Sequence, residues 1–210
     1  MTSASDILYL KDADIIGEGA HKITYKHPNN KALCIKIAKQ GNDIDLKREL
    51  DYRNVLQKKK KTPKLLPLYY GTTKTNKGTA HVFERICNYD NQTSLTLEQY
   101  INKAISNSSI YDAQKHLMDL LLSFKQEWFE ERIVTSNIEL ANFMVQYKNP
   151  NEARIKIVDN IGTPVLIPLA YYLDFFAIKR ASRYWKQFLD VLKSTFPVFF
   201  SHEMINQLSK

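Results

Sequence analysis

The sequence predicts a mixed α+β fold in which a small β-rich lobe precedes a helical lobe. Short runs with strand-like alternation fill most of the first 86 residues, interrupted by one helical stretch, and helical periodicity dominates the remainder. Five strands with one inserted helix, followed by a mostly helical half, is the order expected of a protein-kinase-like, two-lobed fold. We place the lobes at residues 1–88 and 89–210.

The composition is that of an ordinary folded chain. Of the 210 residues, 44% are hydrophobic and 25% are charged, which argues against a disordered protein. The 30 Lys and Arg residues exceed the 22 Asp and Glu residues, so the formal net charge is +8. Such an excess favours phosphate-rich partners, including nucleotides, nucleic acids and anionic membranes, but does not choose among them.

The sequence lacks the usual signals for a membrane or an oxidising compartment. Cys34 and Cys87 form no CxxC pair, so neither a disulfide scaffold nor a zinc site is expected. Residues 1–16 carry acidic side chains and no long apolar stretch, unlike a secretory signal peptide. No run approaches the roughly 18 apolar residues of a membrane span. We expect a cytoplasmic protein without a membrane span.

A lysine lies on an apolar face of the third predicted strand. Strands are predicted at residues 14–16, 22–26, 31–39, 68–74 and 79–86, separated by turn signals. In the third strand Ile35 shares one face with its apolar neighbours, and Lys36 lies on the other face with Cys34 and Ala38. A charge on this small apolar face indicates that Lys36 has a specific partner.

The helix predicted at residues 44–59 carries a carboxylate on its apolar stripe. Leu46, Glu49, Tyr52 and Leu56 recur at three- and four-residue spacing. Because a buried carboxylate is costly unless it is paired, we expect Lys36 to pair with Glu49. Further helices are predicted at residues 96–106, 111–132 and 171–195, with an irregular stretch at 133–142 and a hairpin formed by 143–147 and 154–159.

This order of polar residues suits phosphoryl-transfer chemistry. A hairpin bearing Gly17 and Gly19 lets the backbone approach phosphates closely. A strand lysine steadied by a helix glutamate would contact the phosphates, and Lys36 and Glu49 fit these roles. The segment from Glu84 to Ile86 would form a hinge that offers backbone groups to adenine.

Two further residues are candidate metal ligands. Asn142 follows the irregular stretch, and Asp159 precedes a glycine by three positions. Amide and carboxylate oxygens are hard ligands that suit Mg²⁺ or Mn²⁺. The expected ligands are therefore ATP and one of these metal ions. The five histidines form no ligand-spaced motif, and His21, in the glycine hairpin, is interpreted as a turn residue in preference to a phosphate donor.

Four segments carry a family resemblance that covers residues 15–188. They are IGEGAHKITYKHPNNKALCIKIAK, KRELDYRNVL, RIVTSNIELANFMV and VDNIGTPVLIPLAYY. The chain resembles the PhoP regulatory network protein family of the YrbL type, which is similar to protein kinases in general plan. The resemblance implies that Lys36, Glu49, Asn142 and Asp159 occupy the kinase nucleotide and metal positions.

Departures from the kinase pattern leave the activity open. Lys22 stands where a third glycine is usual, although its charge also suits phosphate. The position of the catalytic base holds Asn137, and an amide does not accept a proton as a carboxylate does. Glu139 is the nearest spare carboxylate. Two hypotheses follow: an unconventional phosphotransferase with an unidentified acceptor, or a pseudokinase that acts as a regulatory or nucleotide-sensing scaffold.

Two other classes of function are weighed against these. Residues 58–64 and 179–186 supply cations and aromatics that could bind nucleic acid, but a solvated helix end and an amphipathic helix explain them more simply. An aromatic cluster could bind a protein partner, although its helical spacing favours core packing. That cluster is Phe175, Phe176, Tyr184, Trp185 and Phe188.

Overall fold

The computed structural model describes residues 7–39, 42–107 and 110–210. Over these residues the protein is a mixed α+β fold with two antiparallel sheets and six α-helices. The mixed α+β class predicted from the sequence is therefore confirmed. Residues 1–6, to which the expectation about a signal peptide partly applies, lie outside the described part.

The first sheet has five strands in the order β1-β2-β3-β5-β4. Their bounds are β1 Ile15–Glu18, β2 Lys22–Lys26, β3 Leu33–Ala38, β4 Tyr69–Thr75 and β5 Gly78–Glu84. Successive side chains of a strand point to opposite faces of the sheet, so the apolar side chains of this sheet form two clusters, one on each face. Ile35 packs with Leu10, Tyr25 and Ala80, whereas Cys34 packs with a cluster that faces the first helix.

Helix α1, Ile44–Lys58, joins this sheet to the rest of the protein. Near its start, Leu46 packs with Cys34 and Phe83 of the sheet. Further along, Tyr52 and Leu56 belong to the main core. The stripe recognised in the sequence thus contacts two clusters, since residues three and four apart lie on one side of a helix.

The remaining elements surround the main core. They are β6 Leu95–Thr96, α2 Leu97–Asn107, α3 Ile110–Glu131, β7 Phe143–Asn149, β8 Glu152–Ile157, α4 Leu169–Tyr172, α5 Asp174–Thr195 and α6 His202–Ser209. Strands β6, β7 and β8 form the second sheet. The ring centroids of Phe143 and Phe188 are 5.1 Å apart, and those of Trp128 and Phe143 are 6.1 Å apart. The core is therefore built around aromatic side chains, which bury large areas.

The helix predicted at residues 171–195 is in fact two helices. Leu173 has extended backbone angles, which end α4 at Tyr172 and let α5 begin at Asp174. Strand β6 and helix α6 were not predicted from the sequence. Helix α6 has a recognisable start, because the Ser201 Oγ accepts a hydrogen bond from Met204 N at 3.2 Å.

Candidate functional site

The expected ion pair between Lys36 and Glu49 is present. The Lys36 Nζ lies 3.5 Å from the Glu49 Oε2, and both side chains are buried. Arg53, one helical turn after Glu49, donates to its Oε1 from Nε at 2.9 Å and from Nη2 at 2.7 Å. The sequence analysis did not assign a role to Arg53, although its i+4 spacing from Glu49 is a signal for such a pair.

The charge on Glu49 is stabilised by its neighbours. Burial would raise the pKa of this carboxyl group, but Lys36, Arg53 and Lys22 outweigh burial and lower the pKa to about 2. The Lys36 Nζ also donates to the carbonyl oxygen of Val158 at 2.7 Å. Glu49 and Val158 together hold the lysine ammonium group beside Asp159, which is the next residue.

A cavity of about 340 Å³ lies between the two sheets. Most of the residues that the sequence analysis selected line it: Gly17, Gly19, Lys22, Lys36, Glu84, Ile86, Glu139, Asn142 and Asp159. Two of the selected residues, Glu49 and Asn137, do not line the cavity. Glu49 instead contacts Lys36. Ile16 and Met144, which the sequence analysis missed, add apolar surface from the first and second sheets. A small cavity with mixed apolar and polar walls is typical of ligand sites.

The glycine hairpin is tied to helix α1. Gly19 N donates to Lys22 O at 3.0 Å, which closes the turn between β1 and β2. The His21 Nδ1 lies 2.5 Å from the Asp45 Oδ2, and the Arg48 Nη1 lies 2.9 Å from the Asp45 Oδ1. His21 therefore contacts a carboxylate of α1 in this structure.

Lys22 forms an ion pair with Asp159. The Lys22 Nζ contacts the Asp159 Oδ1, which also accepts a hydrogen bond from Asn160 N at 2.6 Å. Lys22 is buried, whereas Asp159 keeps about a quarter of its side chain exposed, 27%. The lysine that replaces the third glycine of the kinase pattern thus contacts the carboxylate expected to bind a metal ion.

Asn142 lies beside Asp159 and has an unsatisfied amide group. Its backbone oxygen accepts a hydrogen bond from Val158 N at 2.8 Å, and its buried Nδ2 has no hydrogen-bond partner within the part of the chain that the structure describes. Buried polar atoms are normally satisfied, and Nδ2 is a donor, so it marks a place where a hydrogen-bond acceptor such as water or a ligand oxygen is expected, whereas a metal ion would bind the Oδ1 of the same amide. An amide and a carboxylate on one cavity wall suit a hard metal ion. Over the described ranges no group of three His, Cys, Asp or Glu residues forms a metal site.

Asn137 and Glu139 contact each other at the edge of the cavity. The Asn137 Nδ2 donates to the Glu139 Oε1 at 2.6 Å, and both residues are exposed. Only Glu139 of this pair lines the cavity. The geometry therefore gives Glu139 access to a bound ligand and makes Asn137 a residue that orients Glu139.

The backbone of the segment between α3 and β7 is held by α5. The Arg180 Nε donates to Thr135 O at 3.1 Å, and the Tyr184 Oη donates to Ser136 O at 2.9 Å. Residues 134–136 also pair with residues 160–162, since Ser136 N donates to Asn160 O and Gly162 N donates to Val134 O, both at 2.8 Å. These bonds place Glu139 and Asp159 near one another.

The expected hinge offers one free backbone donor. Glu84 N donates to Leu68 O at 2.8 Å, and Arg85 N donates to Ala32 O at 2.8 Å. Ile86 O accepts a hydrogen bond from Ser94 N, but Ile86 N makes no hydrogen bond to any residue that the structure describes. The Glu84 side chain accepts a bond from Leu68 N at 3.1 Å. Ile86 is thus the hinge residue with a donor available.

The predicted aromatic cluster divides into two parts. Tyr184, Trp185 and Phe188 are buried in the main core, as their helical spacing favoured. Phe175 and Phe176 are exposed at the start of α5. Only the second pair is therefore accessible to a partner.

Comparisons with known proteins agree with the resemblance seen in the sequence. The profile of the family described as PhoP regulatory network protein YrbL matches residues 8–193. The protein named uncharacterized protein YrbL from Escherichia coli (strain K12) is 30% identical over 186 residues, which cover 87% of each chain. The protein of the same name from Shigella flexneri matches to the same extent. The chain therefore belongs to the PhoP regulatory network protein YrbL family.

Proposed function

We propose that the cavity between the two sheets binds a nucleoside triphosphate, ATP, together with Mg²⁺ or Mn²⁺. The observation that carries this proposal is the convergence of the glycine hairpin, Lys36, Asn142 and Asp159 on one cavity. Backbone amides, an ammonium group and two hard oxygen donors are the groups that phosphate and a divalent cation require. The strand order supports a kinase-like plan, with residues 1–88 as the β-rich lobe and 89–210 as the helical lobe.

Each end of the nucleotide would have its own partners. Ile16 and Met144 offer apolar surface to a base, and the Ile86 N–H offers a hydrogen bond to its edge. Lys36, held by Glu49 and Val158, would contact the phosphates. Asn142 and Asp159 would hold the metal ion, which when bound supplies positive charge that neutralises the phosphate oxygens.

Lys22 would change partners when the ligand binds. In the structure its ammonium group neutralises Asp159. A divalent cation at Asp159 would repel this ammonium group and free it for the phosphates, which lie beside the glycine hairpin in this proposal. In the absence of ligand, the ion pair between Lys22 and Asp159 would thus neutralise the carboxylate.

A thermal unfolding experiment tests binding. We expect millimolar ATP with Mg²⁺ or Mn²⁺ to raise Tm, since a ligand at 100 times its Kd adds about 2.7 kcal/mol of stability. Asp159→Asn should remove the metal-dependent part of this shift. Asp12→Asn is the matched control, because Asp12 is also paired with a lysine but is exposed and does not line the cavity. An absent shift in the wild type, or an equal shift in Asp159→Asn, would overturn the proposal.

Slow phosphoryl transfer is a second candidate, favoured by the position of Glu139. An acceptor hydroxyl oxygen would form a bond to the γ-phosphorus, the bond to the ADP oxygen would break, and the proton would pass to Glu139. General base catalysis contributes about 10²- to 10⁴-fold. We therefore expect Glu139→Gln to lower any ATPase rate. Asn137→Asp removes the hydrogen bond to Glu139 but puts a carboxylate at the position of the kinase base, and we expect it to raise the rate. If ATP binds but neither the wild type nor Asn137→Asp turns over, a nucleotide-sensing pseudokinase is the better account.

A further inference from the structure

A run of apolar side chains is exposed between the second sheet and helix α5. We name it the apolar surface segment and define it by its most exposed members, Val165, Leu166, Ile167, Tyr172, Leu173 and Phe175. Leu166 is 96% exposed. A cluster of large apolar side chains on a surface exposed to water is unusual and marks a site of interaction. The segment lies outside the residues that line the nucleotide cavity.

Cations flank the segment on both sides. Lys59 donates from Nζ to Tyr171 O at 2.6 Å and lies 5.8 Å from the Tyr172 ring, so the lysine run at residues 58–61 adjoins the segment. On the other side, Lys179 and Arg183 line a groove together with apolar residues of the segment. The acidic residue within the segment, Asp174, is paired with Arg132 at 2.7 Å. The surroundings are therefore positively charged.

We propose that this surface binds an anionic phospholipid bilayer, with the apolar surface segment inserted among the lipids and the flanking cations on their headgroups. Exposed aliphatic side chains are stabilised when they leave water for the hydrocarbon region of a bilayer, which adapts to their shape. Nucleic acid provides little apolar surface to bury them. Lysines beside such a segment attract anionic headgroups, and their long side chains can place the ammonium groups at the headgroup level. The proposed contact is a peripheral one. No helix in the described ranges is long and apolar enough to cross a membrane. This proposal does not depend on the nucleotide site.

Vesicle flotation tests the apolar contribution. The probes are vesicles of phosphatidylcholine alone and vesicles of phosphatidylcholine and phosphatidylglycerol in equal parts. We expect the wild type to bind the second kind, and the double variant Leu166→Asn, Ile167→Asn to bind them about tenfold more weakly. Val198→Asn removes an apolar side chain that is 86% exposed elsewhere, and it should bind as the wild type does. Circular dichroism checks that each variant is folded.

A second pair of variants tests the charge. Lys58→Gln with Lys61→Gln should weaken binding about tenfold, because each surface lysine contributes independently to attraction by an anionic surface. Lys26→Gln with Lys31→Gln removes the same charge from the β2–β3 hairpin and should have little effect. Absent vesicle binding, or equal losses in target and control variants, would overturn the proposal. Salt-sensitive binding of DNA or of an acidic protein without vesicle binding would overturn it in favour of a macromolecular partner.

Discussion

Glu49 carries a negative charge inside the protein, and three cations make this possible. Its carboxylate bonds to Lys36 and to Arg53, and burial leaves it only 1% exposed. A buried charge is stable only when it is paired and hydrogen-bonded, so the group behaves as one unit. Glu49 is the shared partner, so its removal leaves both Lys36 and Arg53 without their counter-charge.

Replacement of Glu49 should therefore cost stability and change its dependence on pH. We expect Glu49→Gln to lower the free energy of unfolding by about 3 kcal/mol at neutral pH, because the buried Lys36 and the partly buried Arg53 lose their counter-charge. The pKa of Glu49 is about 2 in the folded protein and 4.5 in its unperturbed state. Its contribution is thus full above pH 4.5 and is lost as pH falls towards 2.

Urea unfolding at several pH values measures this effect. The gap between wild type and Glu49→Gln should narrow as pH falls from 4.5 towards 2. Asp43→Asn breaks an exposed ion pair with Lys47 and should change stability by less than about 0.5 kcal/mol. A gap that stays constant over this pH window would mean that folding does not lower the pKa of Glu49.

Lys22 is paired with Asp159, and in the proposed site its ammonium group would compete with a metal ion for this carboxylate. We expect Lys22→Met to bind Mn²⁺ alone several-fold more tightly than the wild type, because the carboxylate loses a competing ammonium group. The same variant should bind ATP with Mn²⁺ more weakly, since a cation near the phosphates is missing. Isothermal titration calorimetry measures both affinities, and Lys26→Met, exposed at the end of β2, is the control. Unchanged Mn²⁺ affinity in Lys22→Met would contradict the exchange of partners.

At the scale of elements, the turn after β8 packs directly on helix α1. Gly162 has a φ of +91°, a conformation that favours glycine. A Cβ atom at this position would lie 2.8 Å from the Tyr171 Oη and 3.0 Å from Arg48 O. The glycine therefore permits both the backbone conformation and the close approach of the turn to the helix.

A pair of glycine variants separates these two effects. Gly162→Ala should lower the free energy of unfolding by roughly 2–4 kcal/mol through strain and steric overlap. Gly71→Ala, with a φ of +97° and no atom within 4 Å of the added Cβ, should cost only about 1 kcal/mol. Thermal unfolding measures both. Equal losses would show that backbone strain alone explains Gly162.

At the scale of the whole molecule, residues 134–136 connect the two halves. Arg48 from α1 donates from Nη1 to the Ser136 Oγ at 3.2 Å, and Tyr52 Oη accepts a bond from Val134 N at 3.2 Å. From α5, Tyr184 donates to Ser136 O at 2.9 Å. The segment that precedes Glu139 is therefore bonded to both α1 and α5.

Tyr184→Phe should loosen this connection. The loss of one hydroxyl leaves Ser136 O without its donor and should cost about 1–2 kcal/mol. Hydrogen exchange in residues 133–142 should become faster. Tyr111→Phe, an exposed tyrosine on α3, is the control and should leave both quantities unchanged. Unaltered exchange in Tyr184→Phe would show that the other bonds hold the segment without this hydroxyl.

The sequence by itself determined the order of strands and helices and the relation between Lys36 and Glu49. Strand alternation and helical periodicity are local properties, and both residues stood out as charges on apolar faces. Local sequence patterns give little sign of where a helix is interrupted. For this reason Leu173 was expected inside a single helix. The extended backbone at that residue depends on packing around it.

Only the tertiary structure decided which distant charges meet and which apolar side chains remain in water. Lys22 and Asp159 are 137 positions apart, so no periodicity relates them, and their contact follows from the path of the whole chain. Likewise, Phe175 and Trp185 occur in one amphipathic helix, yet the first is exposed and the second is buried. Exposure is set by the elements that pack around a side chain, and the surface left uncovered beside α5 results from their arrangement in space.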